Sequence, residues 1–163
     1  MSIKKNLLKF ILNVCLMKGP KAYYSCYTDS MEVKEVKIPI ELKYSKDHEW
    51  IKMEGDIAIV GITDYAQEKL TDIVFVDFPE IGKEVEQGRN LCVVESVKSV
   101  SDVLSPISGE IVEVNRSLED SPELVNSDPY EGGWIVKIKI KESDEFKNLL
   151  TAEEYTTFVT EKE

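Results

Sequence analysis

Short runs with strand character recur along the chain, separated by turn residues. They lie at Trp50–Met53, Ile57–Ile62, Ile73–Phe78, Glu84–Val85, Cys92–Val94, Val100–Leu104 and Trp134–Ile140. In the clearest of these runs, apolar and polar residues alternate with a period near two, which is typical of half-buried strands. Turn signals recur roughly every eight residues, and Gly55 supplies one of them. The pattern predicts a mainly β protein, a sandwich or flattened barrel.

Helical patterns occur in two places. From Thr63 to Leu70 the chain has a capping threonine, then Asp64 at the positive end of the helix dipole, then good helix formers. Near the C-terminus, apolar residues recur at helical spacing between Phe146 and Val159. We expect one short helix in the middle of the chain and one or two helices that close the sandwich.

The stretch from Cys92 to Asn115 carries the main candidate for chemistry. Two apolar-rich runs flank a polar tip, residues 95–99, that contains a single lysine, Lys98. A chain with this pattern reverses at the tip, so Lys98 is expected at the end of a hairpin with its ammonium group in water. An exposed lysine in a turn is most often only a solvated charge, and the flanking sequence decides between that interpretation and a function.

Charge is distributed unevenly over the 163 residues, whose net charge is −11. The first 28 residues hold five lysines and no acid, which leaves 15 lysines and arginines against 31 acids, or −16, in the remainder. A body this acidic argues against nucleic acids and anionic membrane surfaces as partners. It favours partners with basic docking surfaces.

The N-terminal segment is basic, free of acids and amphipathic, which is typical of an organellar import sequence. Its basic residues are all lysines, whereas such sequences are usually rich in arginine. Lys9 and Asn13 interrupt the apolar run, which argues against a secretory signal, and the run is too short for a membrane helix of roughly 20 apolar residues. We expect import into the mitochondrial matrix, or into another organelle, with cleavage between residues 20 and 35.

These observations predict three parts of the chain. Residues 1–30 are the basic presequence, residues 31–41 are a linker, and residues 42–163 are the folded domain. Within that domain Cys92 is the only cysteine and His48 is the only histidine. Cys92 lies in an apolar strand, so it is expected to be buried, and no spacing typical of a metal site occurs. No nucleophile–base pair is visible, so an enzyme is not expected.

Several segments of the chain resemble the H-protein family of the glycine cleavage system. The matching segments are HEW at 48–50, GITDYAQEKL at 61–70, VFVDFPEIG at 74–82, VESVKS at 94–99, SPISGEIVEVN at 105–115 and the PYEGGW sequence that follows. They occur in the family's order and span roughly Tyr44 to Phe158. The resemblance implies a barrel-sandwich hybrid, the flattened β-sandwich of lipoyl domains, with short added helices that include a C-terminal one.

The resemblance also implies a function for Lys98. It matches the lysine that bears lipoic acid as a covalent amide, and lysine suits this role because it alone offers a primary amine on a flexible stem. The implied protein is a monomeric carrier, without a membrane span, and not an enzyme. It shuttles an aminomethyl group between a pyridoxal-phosphate glycine decarboxylase and a tetrahydrofolate-dependent aminomethyltransferase. Dihydrolipoamide dehydrogenase and the lipoyl-attaching enzymes are the other implied partners.

By the same resemblance, Glu49 and Asp102 form a groove that binds the amine of the loaded arm. A protonated amine in such a groove requires carboxylates nearby. The chain departs from the family at Tyr65 and Lys69, where histidines are frequent. A cation at Lys69 would oppose a bound aminium group, if it lay near the groove.

Three other interpretations remain. A lipoyl domain of a 2-oxoacid dehydrogenase complex typically has a D-K-A tip, and a biotinyl carrier has methionines beside the lysine, whereas Lys98 lies between Val97 and Ser99. The strongest alternative is an H-like protein that relays lipoyl groups to other proteins or serves as an interaction module. Transfer of an aminomethyl group through the protein would distinguish the carrier from this relay.

Overall fold

The computed structural model describes residues 22–27, 34–141 and 144–161. Its strands are β1 (Ala22–Tyr27), β2 (Lys34–Pro39), β3 (Lys43–Tyr44), β4 (Glu49–Glu54), β5 (Ile57–Ile62), β6 (Ile73–Asp77), β7 (Glu84–Val85), β8 (Asn90–Ser96), β9 (Val100–Leu104), β10 (Gly109–Val114) and β11 (Val136–Ile140). Its helices are α1 (Asp64–Leu70), α2 (Ser117–Asp120), α3 (Leu124–Ser127), α4 (Asp144–Lys147) and α5 (Ala152–Glu161).

Two antiparallel sheets form the body of the domain. One has six strands in the order β3-β4-β5-β11-β10-β7, and the other has three strands in the order β6-β8-β9. A single apolar cluster joins them, with Val60 and Ile138 from the larger sheet and Val94 and Val103 from the smaller one. The predicted flattened sandwich with short added helices is confirmed.

The predicted elements form because their local signals are strong. The β4–β5 hairpin turns at Gly55, whose φ of 66° is readily available to glycine. Helix α1 begins after Thr63, whose hydroxyl accepts a hydrogen bond from the amide of Ala66 at 3.2 Å. At the C-terminus, α4 and α5 occupy the region where helical spacing was found.

A second, aromatic-rich cluster packs α5 against the larger sheet. Tyr155 on α5 stacks on Tyr44 of β3, with ring centroids 4.6 Å apart and planes 11° apart. Trp50 lies in the same cluster and donates its indole N–H to the carbonyl of Pro129 at 2.9 Å. Gly61 lies beneath the Trp50 ring, where an added Cβ would come within 2.7 Å of it. The loop after Asn115 thereby packs on the larger sheet.

Residues 34–39 of the predicted linker form β2. Val36 and Ile38 are fully buried in the aromatic-rich cluster. The amide of Lys37 donates to the carboxylate of Asp64 at 2.8 Å, and its carbonyl accepts the hydroxyl of Tyr130 at 2.5 Å. Alternation over so short and charged a segment is a weak signal, and its partners lie far away in the chain.

Part of the predicted presequence is also paired. The backbone of β1 runs antiparallel to β2, from Ala22 opposite Pro39 to Tyr27 opposite Lys34. Residues 1–21 and 28–33 lie outside the described residues. Among the described residues, no helix is both long and apolar enough to span a bilayer.

The packing of β2 predicts different effects for two nearby isoleucines. Ile38→Ala should lower the free energy of unfolding by roughly 2–4 kcal/mol, because a buried side chain is lost and a cavity remains. Ile40→Ala is the matched control, since Ile38 is 0% exposed and Ile40 is 46% exposed. Urea denaturation of both variants measures the difference. Equal, small effects would show that β2 contributes little to the folded domain.

Candidate functional site

The tip of the β8–β9 hairpin presents Lys98 to solvent. The turn is closed by Ser96, whose amide donates to the carbonyl of Ser99 at 2.8 Å. The Ser96 hydroxyl in turn accepts the amides of Lys98 at 3.3 Å and Ser99 at 3.1 Å. The backbone at the root of the lysine is therefore fixed by local hydrogen bonds.

The Lys98 side chain itself is free of ionic partners within the part of the chain that the structure describes. No carboxylate there lies within ion-pair distance of its ammonium group, and neighbouring Glu95 also forms no ion pair. An exposed amine on a fixed root can be acylated without breaking a salt bridge. The residues present thus fit a covalently attached acyl group at Lys98.

The hairpin tip is bound to the start of β6. The amide of Val97 donates to the carbonyl of Asp72 at 3.0 Å, and Ile73 lies opposite Ser96 in the sheet register. Thr71, which directly precedes Asp72, has φ 67° and ψ −151°. This region of backbone space is essentially restricted to glycine, and a side chain there costs on the order of 1–3 kcal/mol.

Asn126, in α3, holds the backbone on both sides of Asp72. Its side-chain oxygen accepts the amide of Ile73 at 2.9 Å, and its side-chain nitrogen donates to the carbonyl of Thr71 at 2.8 Å. The Thr71 hydroxyl is buried and has no hydrogen-bond partner among the described residues. The conformation of Thr71 is thus maintained by its backbone contacts.

Apolar side chains are exposed around the tip. Six large apolar residues of the described chain are strongly exposed, and five of them lie on or beside β6 and the Lys98 hairpin: Val74, Phe75, Ile81, Val97 and Val100. Phe75, Glu95 and Val100 form one row across β6, β8 and β9. A groove of about 530 Å³ runs along β6 beside this row, with Asp77 and Glu80 among its lining residues.

Glu49 is a buried acidic residue that contacts the end of β9 farthest from the Lys98 tip. Its side chain is 2% exposed. One carboxylate oxygen accepts the hydroxyl of Ser45, and the other accepts the amide of Leu104 at 3.0 Å. The same Ser45 hydroxyl accepts the amide of Glu49 at 3.0 Å. The turn from residue 45 to residue 49 and strand β9 therefore hold the carboxyl group between them.

Burial raises the pKa of Glu49 to about 7. The loss of hydration is the largest cause, and the hydrogen bonds from Ser45 and Leu104 lower the pKa without compensating for it. Glu49 lines a cleft of about 190 Å³ together with Ser45, Asp47 and Ser105. The cleft thus contains a carboxyl group that is neutral or ionised depending on what lies beside it.

Asp102 lies on β9, the strand to which Glu49 hydrogen-bonds, but the two carboxylates do not line the same cleft. Asp102 lies on β9, two residues before Leu104, and its carboxylate accepts the side-chain amide of Asn90 at 2.6 Å. It is exposed, and it is not among the residues that line the Glu49 cleft. The structure therefore brings together Glu49 and β9, and leaves Asp102 on the sheet surface.

The two departures from the family pattern lie away from this cleft. The ammonium of Lys69 lies 5.3 Å from the centroid of the Tyr65 ring, and Tyr65 contacts His48, with ring centroids 4.7 Å apart. Neither Tyr65 nor Lys69 lines the Glu49 cleft. His48 has φ 74°, and its Nδ1 lies 2.7 Å from the hydroxyl of Tyr155. His48 thus joins α5 to the turn that carries Glu49.

Cys92 is buried, as expected, and burial raises the pKa of its thiol. A protonated buried thiol is a poor nucleophile. Among the described residues, no group of three or more His, Cys, Asp or Glu side chains could hold a metal ion.

Sequence reasoning missed two residues of the site, Ser45 and Asn126. Ser45 precedes Glu49 by four residues, a spacing that fits a local side-chain turn, so it had a weak signal. Asn126 lies in a polar connection and contacts residues more than 50 positions away. Only the folded chain reveals its role.

A β-sandwich that presents an exposed lysine on a fixed hairpin tip defines a class of carrier domains, in which the lysine is acylated by a prosthetic group. The comparisons with known proteins identify the family within this class. The family model described as glycine cleavage H-protein matches residues 42–162.

Relatives and a solved structure agree with that match. The glycine cleavage system H protein of Symbiobacterium thermophilum is 55% identical over 124 residues, covering 76% of this chain and 97% of its own. That of Halothermothrix orenii is 51% identical over 126 residues, covering 77% and 98%. The crystal structure of a glycine cleavage system H protein from Mycobacterium marinum is 43% identical, covers 74% of this chain and 97% of its own, and has a TM-score of 0.65.

The chain belongs to the glycine cleavage H-protein family. Proteins of this family are carrier components and not enzymes, and they bear lipoic acid on a lysine. The matched relatives are bacterial, and the family match begins at residue 42, so the basic N-terminal segment, residues 1–30, lies outside it.

The raised pKa of Glu49 predicts a specific pH dependence of stability. Because the folded pKa of about 7 exceeds the ordinary glutamate pKa of 4.5, protonation stabilises the folded state fully below pH 4.5, and this contribution is lost as the pH rises through 7. Glu49→Gln should remove up to about 3 kcal/mol of this pH dependence. Urea denaturation at acidic and alkaline pH measures it. Parallel stability profiles for the two proteins would contradict the raised pKa.

Proposed function

We propose that Lys98 bears lipoic acid and that the chain carries the aminomethyl group of glycine between enzymes. The donor is the pyridoxal-phosphate glycine decarboxylase, and the acceptor is the tetrahydrofolate-dependent aminomethyltransferase, with dihydrolipoamide dehydrogenase as the third partner. The observation that carries this proposal is the exposed Lys98 on the fixed hairpin tip of a chain that belongs to the H-protein family. When bound, lipoic acid supplies the disulfide–dithiol chemistry.

The chain's own contribution is to fix one end of the arm and leave the other end mobile. Acylation of Lys98 removes its charge and preserves the four methylenes of its stem. Ser96 holds the backbone of the turn, and Asp72 accepts the amide of Val97. The root stays in place while the stem rotates, so the far end samples a limited volume around the tip.

We further propose that Glu49 and Asp102 bind the amine carried by the arm, as the family resemblance implies. Glu49 supports this role because it is a buried acceptor, and its hydrogen-bond donors among the described residues, Ser45 and Leu104, are neutral. A cation beside it would favour the ionised carboxylate and lower its pKa from about 7. Asp102, exposed on β9 and outside the residues that line the Glu49 cleft, is the second carboxylate of this proposal.

Partner enzymes must reach the tip, and the surface around it has the composition of a docking site. Its exposed apolar residues include Phe75 and Val100, and beside them lie Glu95 and Asp77, two carboxylates that form no ion pair with any residue the structure describes. Such a surface favours basic partners, and its charge accelerates transient encounters.

We propose that residues 1–30 contain a mitochondrial presequence that is cleaved before the protein functions in the matrix. The basic, acid-free composition of the segment and its position outside the family match support this proposal. The buried side chains of β2 favour a cleavage site upstream of Lys34, since the domain packs on Val36 and Ile38.

Replacement of the carrier lysine tests the proposed function directly. Lys98→Arg should retain the fold and abolish glycine cleavage in a system reconstituted with the partner enzymes, because arginine cannot form the lipoyl amide. Lys83→Arg is the matched control, since Lys83 is also exposed and lies outside the hairpin. Normal activity of the Lys98 variant would refute the carrier role. A lipoylated protein that transfers no aminomethyl group would instead favour the relay alternative.

The acidic surface predicts that docking depends on salt. Raising ionic strength from about 0.05 M to 0.5 M shortens the Debye length several-fold and should raise the apparent KM of the glycine decarboxylase for the lipoylated protein. Steady-state kinetics with varied concentrations of the carrier measures this effect. An unchanged apparent KM would contradict electrostatic steering by the carboxylates.

A further inference from the structure

Asn126 makes three hydrogen bonds that use most of the capacity of its side chain. Its oxygen accepts the amide of Ile73 at 2.9 Å, and its nitrogen donates to the carbonyl of Thr71 and to the side-chain oxygen of Gln67, both at 2.8 Å. All three partners lie at the end of α1 or at the start of β6. One side chain thus spans the junction between these two elements.

This junction is also the contact of the Lys98 turn with its neighbouring strand. Asp72 lies between the two residues whose backbone Asn126 holds, and its carbonyl accepts the amide of Val97 at 3.0 Å. A continuous chain of hydrogen bonds therefore runs from Asn126 through residues 71–73 to the residue adjacent to Lys98.

We propose that Asn126 is a positioning residue for Lys98, which acts by holding Thr71 in its strained conformation. This inference rests on the proposed carrier role of Lys98. With φ 67° and ψ −151°, Thr71 has a strong tendency to relax to a common conformation. If Thr71 relaxed, the peptide groups that follow it would rotate, and the carbonyl of Asp72 would move away from the amide of Val97. Asn126 prevents this by fixing the peptide groups on both sides of Asp72.

The chemistry of the contact requires an amide side chain at this position. Asparagine donates and accepts at once, and a carboxylate of the same shape offers only acceptors. Asn126→Asp would set its second oxygen against the carbonyl of Thr71 and the oxygen of Gln67. Asn126→Ala removes every contact without adding a repulsion, so it is the cleaner test.

Glycine at position 71 separates positioning from general stability. A glycine adopts φ 67° and ψ −151° without steric strain, so the junction should keep its shape even when Asn126 is absent. The proposal therefore predicts that Thr71→Gly rescues Asn126→Ala. If Asn126 only contributed to overall stability, Thr71→Gly would not specifically reverse the effect of Asn126→Ala at the hairpin tip.

The experiment compares the wild type, Asn126→Ala, Thr71→Gly and the double variant as unlipoylated proteins. Amide hydrogen exchange is measured at Val97, with Ile138 in the larger sheet as the reference amide. Asn126→Ala should accelerate exchange at Val97 by about tenfold relative to Ile138, because the local opening at the tip becomes more favourable. The double variant should return to within about threefold of the wild type. Equal acceleration at both amides, or no rescue by glycine, would overturn the proposal.

Lipoylation kinetics provides a second readout. With a purified lipoyl-attaching enzyme, Asn126→Ala should raise the apparent KM for the acceptor protein several-fold, and the double variant should restore it. An unchanged KM in Asn126→Ala would overturn the positioning role. Failure of the wild type itself to accept a lipoyl group would refute the carrier function instead, and the exchange data would still decide whether Asn126 holds the tip.

Discussion

The packing of the three-stranded sheet on the six-stranded sheet is the interaction on which the other features depend. Each side chain fully buried in that interface contributes roughly 1.5–3 kcal/mol, and Val94 and Val103 bring the strands of the Lys98 hairpin into it. The base of the hairpin is thus part of the hydrophobic core, while its tip extends into solvent. A rigid base and an exposed tip suit a lysine whose root must stay fixed while its end moves.

Polar groups near the core refine this arrangement. Glu49 is a buried carboxyl group that joins the turn at Ser45 to strand β9 through hydrogen bonds, and burial places its pKa near neutrality at about 7. Asn126 plays a comparable role at the opposite end of the smaller sheet, where it holds the strained backbone at Thr71. In both places a feature that costs folding free energy, a buried carboxyl group or a strained backbone, is kept, and it fixes local geometry that the apolar core alone does not specify.

Local patterns predicted most of the fold. Alternation and the turn at Gly55 predicted β4 and β5, and the cap at Thr63 predicted α1, because these signals act over a few residues. Strand β2 escaped prediction because its burial depends on distant partners such as Tyr130. The exposure of Lys98 followed from the hairpin pattern. The burial of Glu49 did not, since a carboxylate in a polar segment gives no sign of the strand that will cover it.

The most direct test of the central claim is the intact mass, with peptide mapping, of the protein purified from its own cells. A lipoylated carrier should show a lipoyl-sized increment on the peptide that contains Lys98, and an N-terminus that lies beyond residue 20 and upstream of Lys34. An unmodified Lys98 in cells that are actively degrading glycine would contradict the carrier function.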